Sequence, residues 1–254
     1  MLKYEAIDNN KPEWVVFVHG IGGSTRTWSK QIEAFSEQYN LLLLDLPGHG
    51  SNVSNIIHKV DVKRLNDGIR DTMDHLHIES AHFVGLSLGT IVVAQFAIQY
   101  PSYVKRIIMG GAALLMKGIT KSYVRFANFI KRLVPFKFLC KFFAWFILPK
   151  HNHQKSRNIF VREAVKLNRH TMYAWMDYLK TILHSEKLLE QLNSLNKKIL
   201  FISGDEDHCF IGGIKIIHEH LVKSKLKILE HCGHVCSIEQ AFNFNNCAVA
   251  FLAA

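Results

Sequence analysis

The stretch HFVGLSLGTIVV (residues 82–93) places Ser87 between Gly85 and Gly89, after one apolar run and before another. Glycines on both sides allow a sharp turn from a strand into a helix, because they leave room for a central residue in a strained conformation. The turn lifts that residue above the strand end, where the first N–H groups of the helix lie close to it. An ordinary turn with a helix-capping serine is the alternative. The neighbouring segments favour a nucleophile.

Groups that a serine nucleophile requires follow three other apolar runs. The glycine-rich segment HGIGGS (19–24) follows EWVVFV, the acidic segment GDED (204–207) follows KKILFIS, and GH (233–234) follows KLKILEHC. Open α/β sheets collect their active sites at the carboxyl ends of strands. A serine hydroxyl needs an imidazole to take its proton, and the imidazole needs a carboxylate to orient it. The order serine, acid, histidine therefore favours nucleophilic catalysis.

Short apolar runs alternate with helical patterns along the chain. The predicted strands are EWVVFVHG, NLLLLDLPG, SAHFVGLS, VKRIIMGG, KKILFISG and KLKILEHCG, which are rich in Val, Ile and Leu. Such runs are typical of parallel strands covered on both faces. Helix-like stretches such as TWSKQIEAFSEQ and VKRLNDGIRDTMDHL separate them. The pattern predicts an α/β fold with a doubly wound, mostly parallel sheet.

One change in composition divides the chain. Residues 112–190 are almost entirely helical in pattern and separate the strands RIIMGG and KILFISG. We therefore expect residues 1–111 and 191–254 to form one core domain and residues 112–190 to form an inserted helical cap. A length of 254 residues with 48% apolar content is sufficient for one such core.

Five segments in order resemble the motifs of the α/β-hydrolase superfamily, in particular its esterase- and lipase-like serine hydrolases with a helical cap. They are HGIGG, DLPGHG (45–50), GLSLG, GDED and GHVCSIEQAFNFN. The resemblance implies Ser87 as nucleophile and His234 as general base. It also implies that the backbone N–H groups of Ile21 and Leu88 form the oxyanion hole.

The resemblance also bears on the acid and the reaction. The family's acid usually lies three residues after the glycine of its turn, which selects Asp207 over Asp205. The implied reaction is hydrolysis of carboxylic esters with small to medium, lipid-like acyl groups through an acyl-enzyme, with no cofactor. Carrier-bound esters or thioesters, lactones and carbon–carbon bonds remain as alternative substrates. A non-catalytic ligand-binding receptor that retains the triad is the other alternative.

The net charge of +10 is located in one segment. Thirteen basic residues lie between Lys117 and Arg169 against one acid, Glu163, so this segment carries +12 and the rest of the chain sums to −2. A basic surface of this kind attracts an anionic partner. We expect an anionic membrane surface or an acidic acyl carrier protein, and no nucleic acid. The alternative is a solvated exterior that binds nothing.

The cap sequence predicts an apolar acyl pocket beneath it. TKSYVRFANFIKRLV (120–134) and FKFLCKFFAWFIL (136–148) have the spacing of amphipathic helices. In the first, the predicted apolar face includes Phe126 and Leu133, and the polar face includes Arg125 and Asn128. We expect the acyl group to be bound by four aromatic side chains, Phe126, Phe129, Phe142 and Trp145.

The remaining histidines and cysteines predict no metal site. The cluster His231, Cys232, His234 and Cys236, with His208 and Cys209 elsewhere, matches no common zinc spacing. His151 and His153 lie in a polar stretch and are expected to be solvated. The opening residues hold no apolar run of the secretory kind, and the cysteine count is odd. We therefore expect a reduced, cytoplasmic protein.

Overall fold

The computed structural model describes residues 1–181 and 186–254, and the strands of this part form one sheet. The strands are β1 (Lys3–Ile7), β2 (Trp14–Val18), β3 (Asn40–Asp45), β4 (Ala81–Leu86), β5 (Val104–Gly110), β6 (Lys198–Gly204) and β7 (Ser224–Leu229). Their order across the sheet is β1-β3-β2-β4-β5-β6-β7. All pairs are parallel except β1 with β3. The predicted mostly parallel sheet is confirmed, and β1 adds an antiparallel edge.

The helices lie between the strands and on both faces of the sheet. They are α1 (Ile32–Ser36), α2 (Val62–His75), α3 (Leu88–Gln99), α4 (Gly118–Ile130), α5 (Phe136–Ile147), α6 (Gln154–Ala164), α7 (Arg169–Thr181), α8 (Glu186–Ser194), α9 (Ile211–His220), α10 (Cys236–Glu239) and α11 (Ala241–Ala253). The stretch TWSKQIEAFSEQ is not one helix, because a short 3-10 turn at Thr25–Trp28 precedes α1. This break lets the buried Gln31 amide donate to the Ser237 carbonyl at 2.8 Å.

Two apolar layers cover the two faces of the sheet. On one face, Leu42 and Phe83 pack with residues of α2, α3 and α9. On the other face, Phe17 packs between Trp28 and Phe35, with ring centroids 5.0 and 5.1 Å away, and α11 completes the layer. Alternate strand residues therefore enter opposite layers, which is the burial expected of a doubly wound sheet.

The cap lies between β5 and β6 and covers the carboxyl ends of the strands. It contains α4 to α7, and hydrogen bonds attach it to several loops of the core. Trp175 Nε1 donates to the Pro47 carbonyl at 3.1 Å, and Thr120 Oγ1 donates to the Cys209 carbonyl at 2.8 Å. The predicted end of the cap at residue 190 falls inside α8, whose buried Leu192 packs with the core layer that includes α3. Residues 182–185 of the predicted cap lie outside the described residues.

Within the described ranges no helix combines the length and the apolar character that crossing a membrane requires. The apolar helix α5 has 12 residues, whereas a span needs about 20.

Replacing Phe17 by Ala is expected to lower the free energy of unfolding by about 3–5 kcal/mol, because the cavity lies between Trp28 and Phe35 in a close-packed layer. Urea unfolding followed by circular dichroism measures the change. Phe129→Ala is the control: its side chain is 73% exposed, so the change stays within about 0.5 kcal/mol. Equal losses in the two variants would contradict this packing.

Candidate active site

Ser87 lies at a strained turn between β4 and α3. Its backbone has φ 51° and ψ −116°, a region that non-glycine residues rarely adopt. A Cβ atom on Gly89 would lie 2.1 Å from the Val18 carbonyl oxygen, and one on Gly85 would lie 2.8 Å from the Gly89 backbone. The helix therefore approaches β2 and β4 so closely that both positions require glycine. This contact holds Ser87 at the edge of the sheet.

A chain of hydrogen-bonding distances joins Ser87 to a buried carboxylate. His234 Nε2 lies 2.8 Å from Ser87 Oγ, and His234 Nδ1 lies 2.8 Å from Asp207 Oδ2. A carboxylate only accepts hydrogen bonds, so the proton of Nδ1 points to Asp207 and Nε2 accepts the serine hydroxyl. Phe210 stacks on the imidazole with ring centroids 4.6 Å apart. His234 is thus fixed in the orientation that proton transfer from Ser87 requires.

The geometry separates the two candidate acids. Asp207 is fully buried against His234, whereas Asp205 accepts the backbone N–H of Cys232 at 3.2 Å. Both carboxylates follow β6, but the chain turns between them.

The loop after β2 and the start of α3 each contribute one backbone N–H group beside Ser87. Ile21 lines the space around the serine, and Leu88 is the first residue of α3, where N–H groups have no acceptor within the helix. The hydrogen bonds found in the described residues include none from either N–H. Gly22, with φ 75°, donates its N–H to His49 Nε2 at 3.1 Å, which holds the loop in place.

Two buried histidines support this loop as neutral acceptors. Burial lowers the pKa of His49 to about 3, with a further contribution from nearby His19. Burial also lowers the pKa of His19, whose Nε2 accepts the N–H of Leu46 at 3.1 Å. Both imidazoles therefore remain uncharged at neutral pH. His49 can accept the N–H of Gly22, and His19 can accept the N–H of Leu46 in the loop after β3.

Two apolar cavities meet at Ser87. The first encloses about 640 Å³ including its open mouth and lies beneath α5 and α6, where Ile159 and Phe160 line it. The second measures about 390 Å³, again including its open mouth, and lies beneath α4 and α5, where Tyr123 and Phe146 line it. Within the described residues, neither lining includes a lysine or arginine. The site therefore suits a molecule with apolar groups on both sides of the reacting atom.

A family model described as alpha/beta hydrolase fold matches residues 13–241. The chain belongs to the alpha/beta hydrolase fold family. This hydrolase is 23% identical over 244 residues to 3-oxoadipate enol-lactonase 2 of Acinetobacter baylyi, covering 94% of this chain and 88% of that protein. It is 26% identical over 259 residues to 2-hydroxy-6-oxo-6-phenylhexa-2,4-dienoate hydrolase of Comamonas testosteroni, covering 94% of this chain and 87% of that protein.

Other matches of the hydrolase differ in extent. The first of its curated relatives matches over 116 residues, so the chain spans 31% of that protein's length. Among solved structures, an esterase from Exiguobacterium antarcticum superposes with a TM-score of 0.84 at 19% identity, covering 100% of this chain and 96% of that one. This similarity shows the shared fold.

The predicted acyl-binding residues of the cap do not line either cavity. Phe126, Phe129 and Trp145 are 51%, 73% and 56% exposed, and Phe142 lies between Phe126 and Phe138 near the surface. The inner residues of the two helices are others: Tyr123, Val124, Phe143, Phe146 and Ile147. The expectation is wrong because α5 is apolar nearly all round, so its sequence does not define an inner face, and because α4 carries Phe126 and Phe129 outside its buried face.

The structure also corrects the expectation that His153 is solvated. It is fully buried, and its Nε2 lies 2.8 Å from Glu206 Oε2 and 3.7 Å from Glu239 Oε2. Glu239 accepts the N–H groups of Gly233 at 2.7 Å and Val235 at 3.0 Å, the two neighbours of His234. The sequence around His153 is polar and does not indicate burial, because the carboxylates that His153 contacts are more than 50 residues away along the chain.

The cap is therefore attached to the loops that carry Asp207 and His234. Hydrogen bonds from Asn152 and Lys150 lower the pKa of Glu206 to about 2, so this carboxylate is charged at neutral pH. It holds Lys150 Nζ at 2.8 Å and Asn152 Nδ2 at 2.7 Å. Residues 150–153 thus bind beside the acid loop from the cap side.

Four of the five cysteines of the hydrolase are buried thiols, and Cys247 is half-buried. Burial raises the pKa of Cys209 to about 12, and it raises those of Cys232 and Cys236 further. Such thiols stay protonated at neutral pH, whereas nucleophiles and metal ligands are thiolates. In the part of the chain that the structure describes, no three His, Cys, Asp or Glu side chains are grouped to hold a metal ion.

We expect the free energy of unfolding to fall as the pH is lowered below 6.5. The unfolded chain takes up a proton at an ordinary imidazole of pKa 6.5, whereas folded His49, with a pKa of about 3, does not. His49 contributes its full stability above pH 6.5 and loses about 1.4 kcal/mol per pH unit as the pH falls toward 3. Urea unfolding between about pH 7 and pH 5 measures the slope.

The matched variants for this slope are His49→Gln and His151→Gln. Glutamine removes the titrating group at position 49 and keeps an acceptor for Gly22, so the slope should become shallower. His151 is exposed, and its replacement should leave the slope unchanged. An unaltered slope in His49→Gln would contradict a neutral buried His49.

Proposed function

We propose that this chain is a serine hydrolase of neutral carboxylic esters with apolar acyl groups of small to medium length. The observation that carries the proposal is the position of Ser87, which is hydrogen-bonded to His234 and lies where two cation-free apolar cavities meet. Nucleophile, orienting acid and base have the order Ser87, Asp207, His234 along the chain, as in α/β-hydrolases with a strained serine turn.

The acylation step uses these groups in turn. His234 Nε2 takes the hydroxyl proton of Ser87 as Oγ attacks the ester carbonyl carbon, and the N–H groups of Ile21 and Leu88 stabilise the oxyanion. Asp207 accepts from Nδ1 and stabilises the imidazolium. The tetrahedral intermediate collapses when His234 donates the proton to the leaving alcohol, which breaks the ester C–O bond and leaves the acyl group on Ser87.

The deacylation step repeats this chemistry with water. His234 takes a proton from water as the water oxygen attacks the acyl carbon, and the same two N–H groups stabilise the second oxyanion. Collapse returns the proton to Ser87 Oγ and releases the carboxylic acid. No group beyond the described side chains and backbone is needed.

The charge of the cavities supports a neutral substrate. The names of two relatives, an oxoadipate enol-lactonase and a dienoate hydrolase, describe carboxylate-bearing compounds. In the present cavities a second carboxylate finds no lysine or arginine among the described lining residues, and Glu163 lines the first cavity. Burying an unpaired carboxylate in an apolar cavity is costly. Neutral esters are therefore favoured over the anionic compounds of those relatives.

The test compares p-nitrophenyl hexanoate with the p-nitrophenyl monoester of adipic acid, which has the same chain length and a terminal carboxylate. We expect kcat/KM for the hexanoate to be higher by at least about tenfold, because the carboxylate loses its hydration without gaining a partner. Across acetate, butyrate and hexanoate, kcat/KM should rise up to about fourfold per methylene while the cavity fills, since each buried CH₂ contributes about 0.8 kcal/mol.

Ser87→Ala is the control and should lower kcat on the order of 10⁶-fold with the fold intact. A fluorophosphonate probe should label the wild type at Ser87. Absence of labelling would indicate a binding protein, and preference for the adipate monoester, a lactone or a thioester would overturn the neutral-ester proposal.

Two further variants test the acid. Asp207→Asn should lower kcat about 10⁴-fold, because the amide disfavours the required tautomer of His234. Asp205→Asn should change kcat by less than about tenfold, since its amide oxygen still accepts from Cys232 N–H. Steady-state hydrolysis of p-nitrophenyl butyrate measures both. The reverse ranking would transfer the acid role to Asp205.

A further inference from the structure

We propose that the outer faces of α4 and α5 form a docking surface for an anionic lipid bilayer. This surface, the outer cap face, consists of five apolar and four basic side chains: Phe126, Phe129, Leu133, Phe138, Trp145, Arg125, Arg132, Lys137 and Lys141. All nine are exposed. The proposal goes beyond ester hydrolysis, and docking does not depend on the chemistry at Ser87.

Large apolar side chains are concentrated on this face. Phe129 and Leu133 are 73% and 72% exposed, and Phe126, Phe138 and Trp145 each exceed 50%. They recur at helical spacing, with Phe126, Phe129 and Leu133 along α4 and the turn after it. Clustered exposure of this kind is unusual for a protein surface that contacts water alone and marks an interaction site.

Ring contacts make the apolar surface continuous between the two helices. Phe142 of α5 lies edge-on to Phe126 of α4 with centroids 6.1 Å apart, and it stacks on Phe138 at 6.3 Å. Trp145 lies one turn further along α5, where the Arg157 guanidinium stacks 3.7 Å from its ring centroid. The exposed side chains therefore form one patch.

The basic residues of the patch lack acidic partners within the described chain. Arg125, Arg132, Lys137 and Lys141 make no ion pair there, and the sequence from Lys117 to Arg162 contains no acid. Other basic residues of the segment are engaged elsewhere: Lys131 pairs with Asp177, Lys150 with Glu206, and Arg162 and Lys166 with Glu163. Four cations without an ion pair in the described chain thus belong to the same surface as the exposed aromatic rings.

A bilayer surface suits this combination better than a second copy of the chain. A two-fold dimer through the outer cap face would place the same cations opposite one another, which is repulsive. At a lipid interface, Phe and Trp side chains enter the boundary between headgroups and acyl chains, and Arg and Lys bind anionic headgroups. The patch carries both kinds of group on one surface.

Helix α5 connects this surface with the cavities. Its outer side carries Phe138, Lys141 and Trp145, and its inner side carries Phe143 and Ile147, which line both cavities. One helix diameter, about 10 Å, therefore separates a docked bilayer from the space around Ser87. Supply of a lipid ester from the bilayer rests on the proposed function, whereas docking itself does not.

The experiment measures co-sedimentation of the full chain, wild type and Ser87→Ala, with vesicles of phosphatidylcholine alone or with about one third phosphatidylglycerol. We expect both proteins to bind the anionic vesicles at least about tenfold more tightly than the vesicles of phosphatidylcholine alone. The affinity for the anionic vesicles should decrease between about 0.1 and 0.5 M salt, because screening shortens the reach of the charges. Trp145, the exposed tryptophan of the patch, should shift its fluorescence emission to shorter wavelength on binding, and Trp145→Phe should abolish the shift.

Two pairs of variants locate the surface. Arg125→Gln, Arg132→Gln, Lys137→Gln and Lys141→Gln together should weaken binding on the order of 10²-fold or more, because each cation near anionic headgroups contributes about fivefold. The control replaces four exposed lysines on and beside α9 and the edge strand β7, Lys215, Lys223, Lys225 and Lys227, by Gln and should have little effect. Phe129→Ser with Leu133→Ser should also weaken binding, whereas Phe242→Ser with Val222→Ser, equally exposed, should not.

Several outcomes would overturn the proposal. They are equal binding to neutral and anionic vesicles, equal losses in the patch and control variants, and self-association that the Phe129→Ser/Leu133→Ser variant abolishes. Binding to an acidic acyl carrier protein in place of vesicles, with the same sensitivity to the patch variants, would also overturn it. Because Ser87→Ala is measured in parallel, loss of esterase activity and loss of docking are distinguishable.

Discussion

The close packing of α3 against the sheet is the constraint on which the site depends. Gly89 lies so near the Val18 carbonyl that no side chain fits, and this proximity forces the chain to turn within the single residue Ser87, at φ 51°. The strain is maintained by hydrogen bonds on both sides of the turn. Ser87 N–H donates to the Gly110 carbonyl at 2.9 Å, and Thr90 Oγ1 donates to the Ser87 carbonyl at 2.6 Å. The serine is thereby fixed at the strand ends, where the loops after β2, β6 and β7 converge.

Electrostatic groups are arranged around this turn according to their burial. The loop beside the serine is held by imidazoles that burial keeps neutral, so they accept N–H groups and add no charge. The acid side is different, because the Glu206 carboxylate beside Asp207 accepts from Asn152 of the cap, and the Glu239 carboxylate accepts the N–H of Gly233 beside His234. His153 joins these two carboxylates from the cap. The cap is consequently connected to the acid and histidine loops by polar contacts, and to the serine by apolar cavities.

The cap separates apolar space inside from positive charge outside. Its inner side chains surround Ser87 without lysine or arginine among the described lining residues, while Arg125, Arg132, Lys137 and Lys141 point away. The proposed neutral substrate and the proposed anionic surface would therefore contact opposite sides of the same two helices. The two are compatible because a helix thickness of low-dielectric protein lies between them. A substrate carboxylate in the cavities would lack a contact with the outer cations, since it lies across α5 from them.

The sequence by itself determined strands β2 to β7, their parallel arrangement and the side chains that meet at Ser87, because uninterrupted Val, Ile and Leu runs and glycine-flanked turns are local signals, whereas the antiparallel strand β1 was not predicted. It also indicated Asp207, although Asp205 differs by two positions, and the structure brings only Asp207 to His234. Tertiary packing decided the rest. In α5 nearly every side is apolar, and in α4 apolar residues lie on more than one side, so the buried face follows from the core beneath the two helices, and Phe129 lies outside. His153 is buried for the same reason: its partners come from distant loops that the polar sequence around it does not reveal.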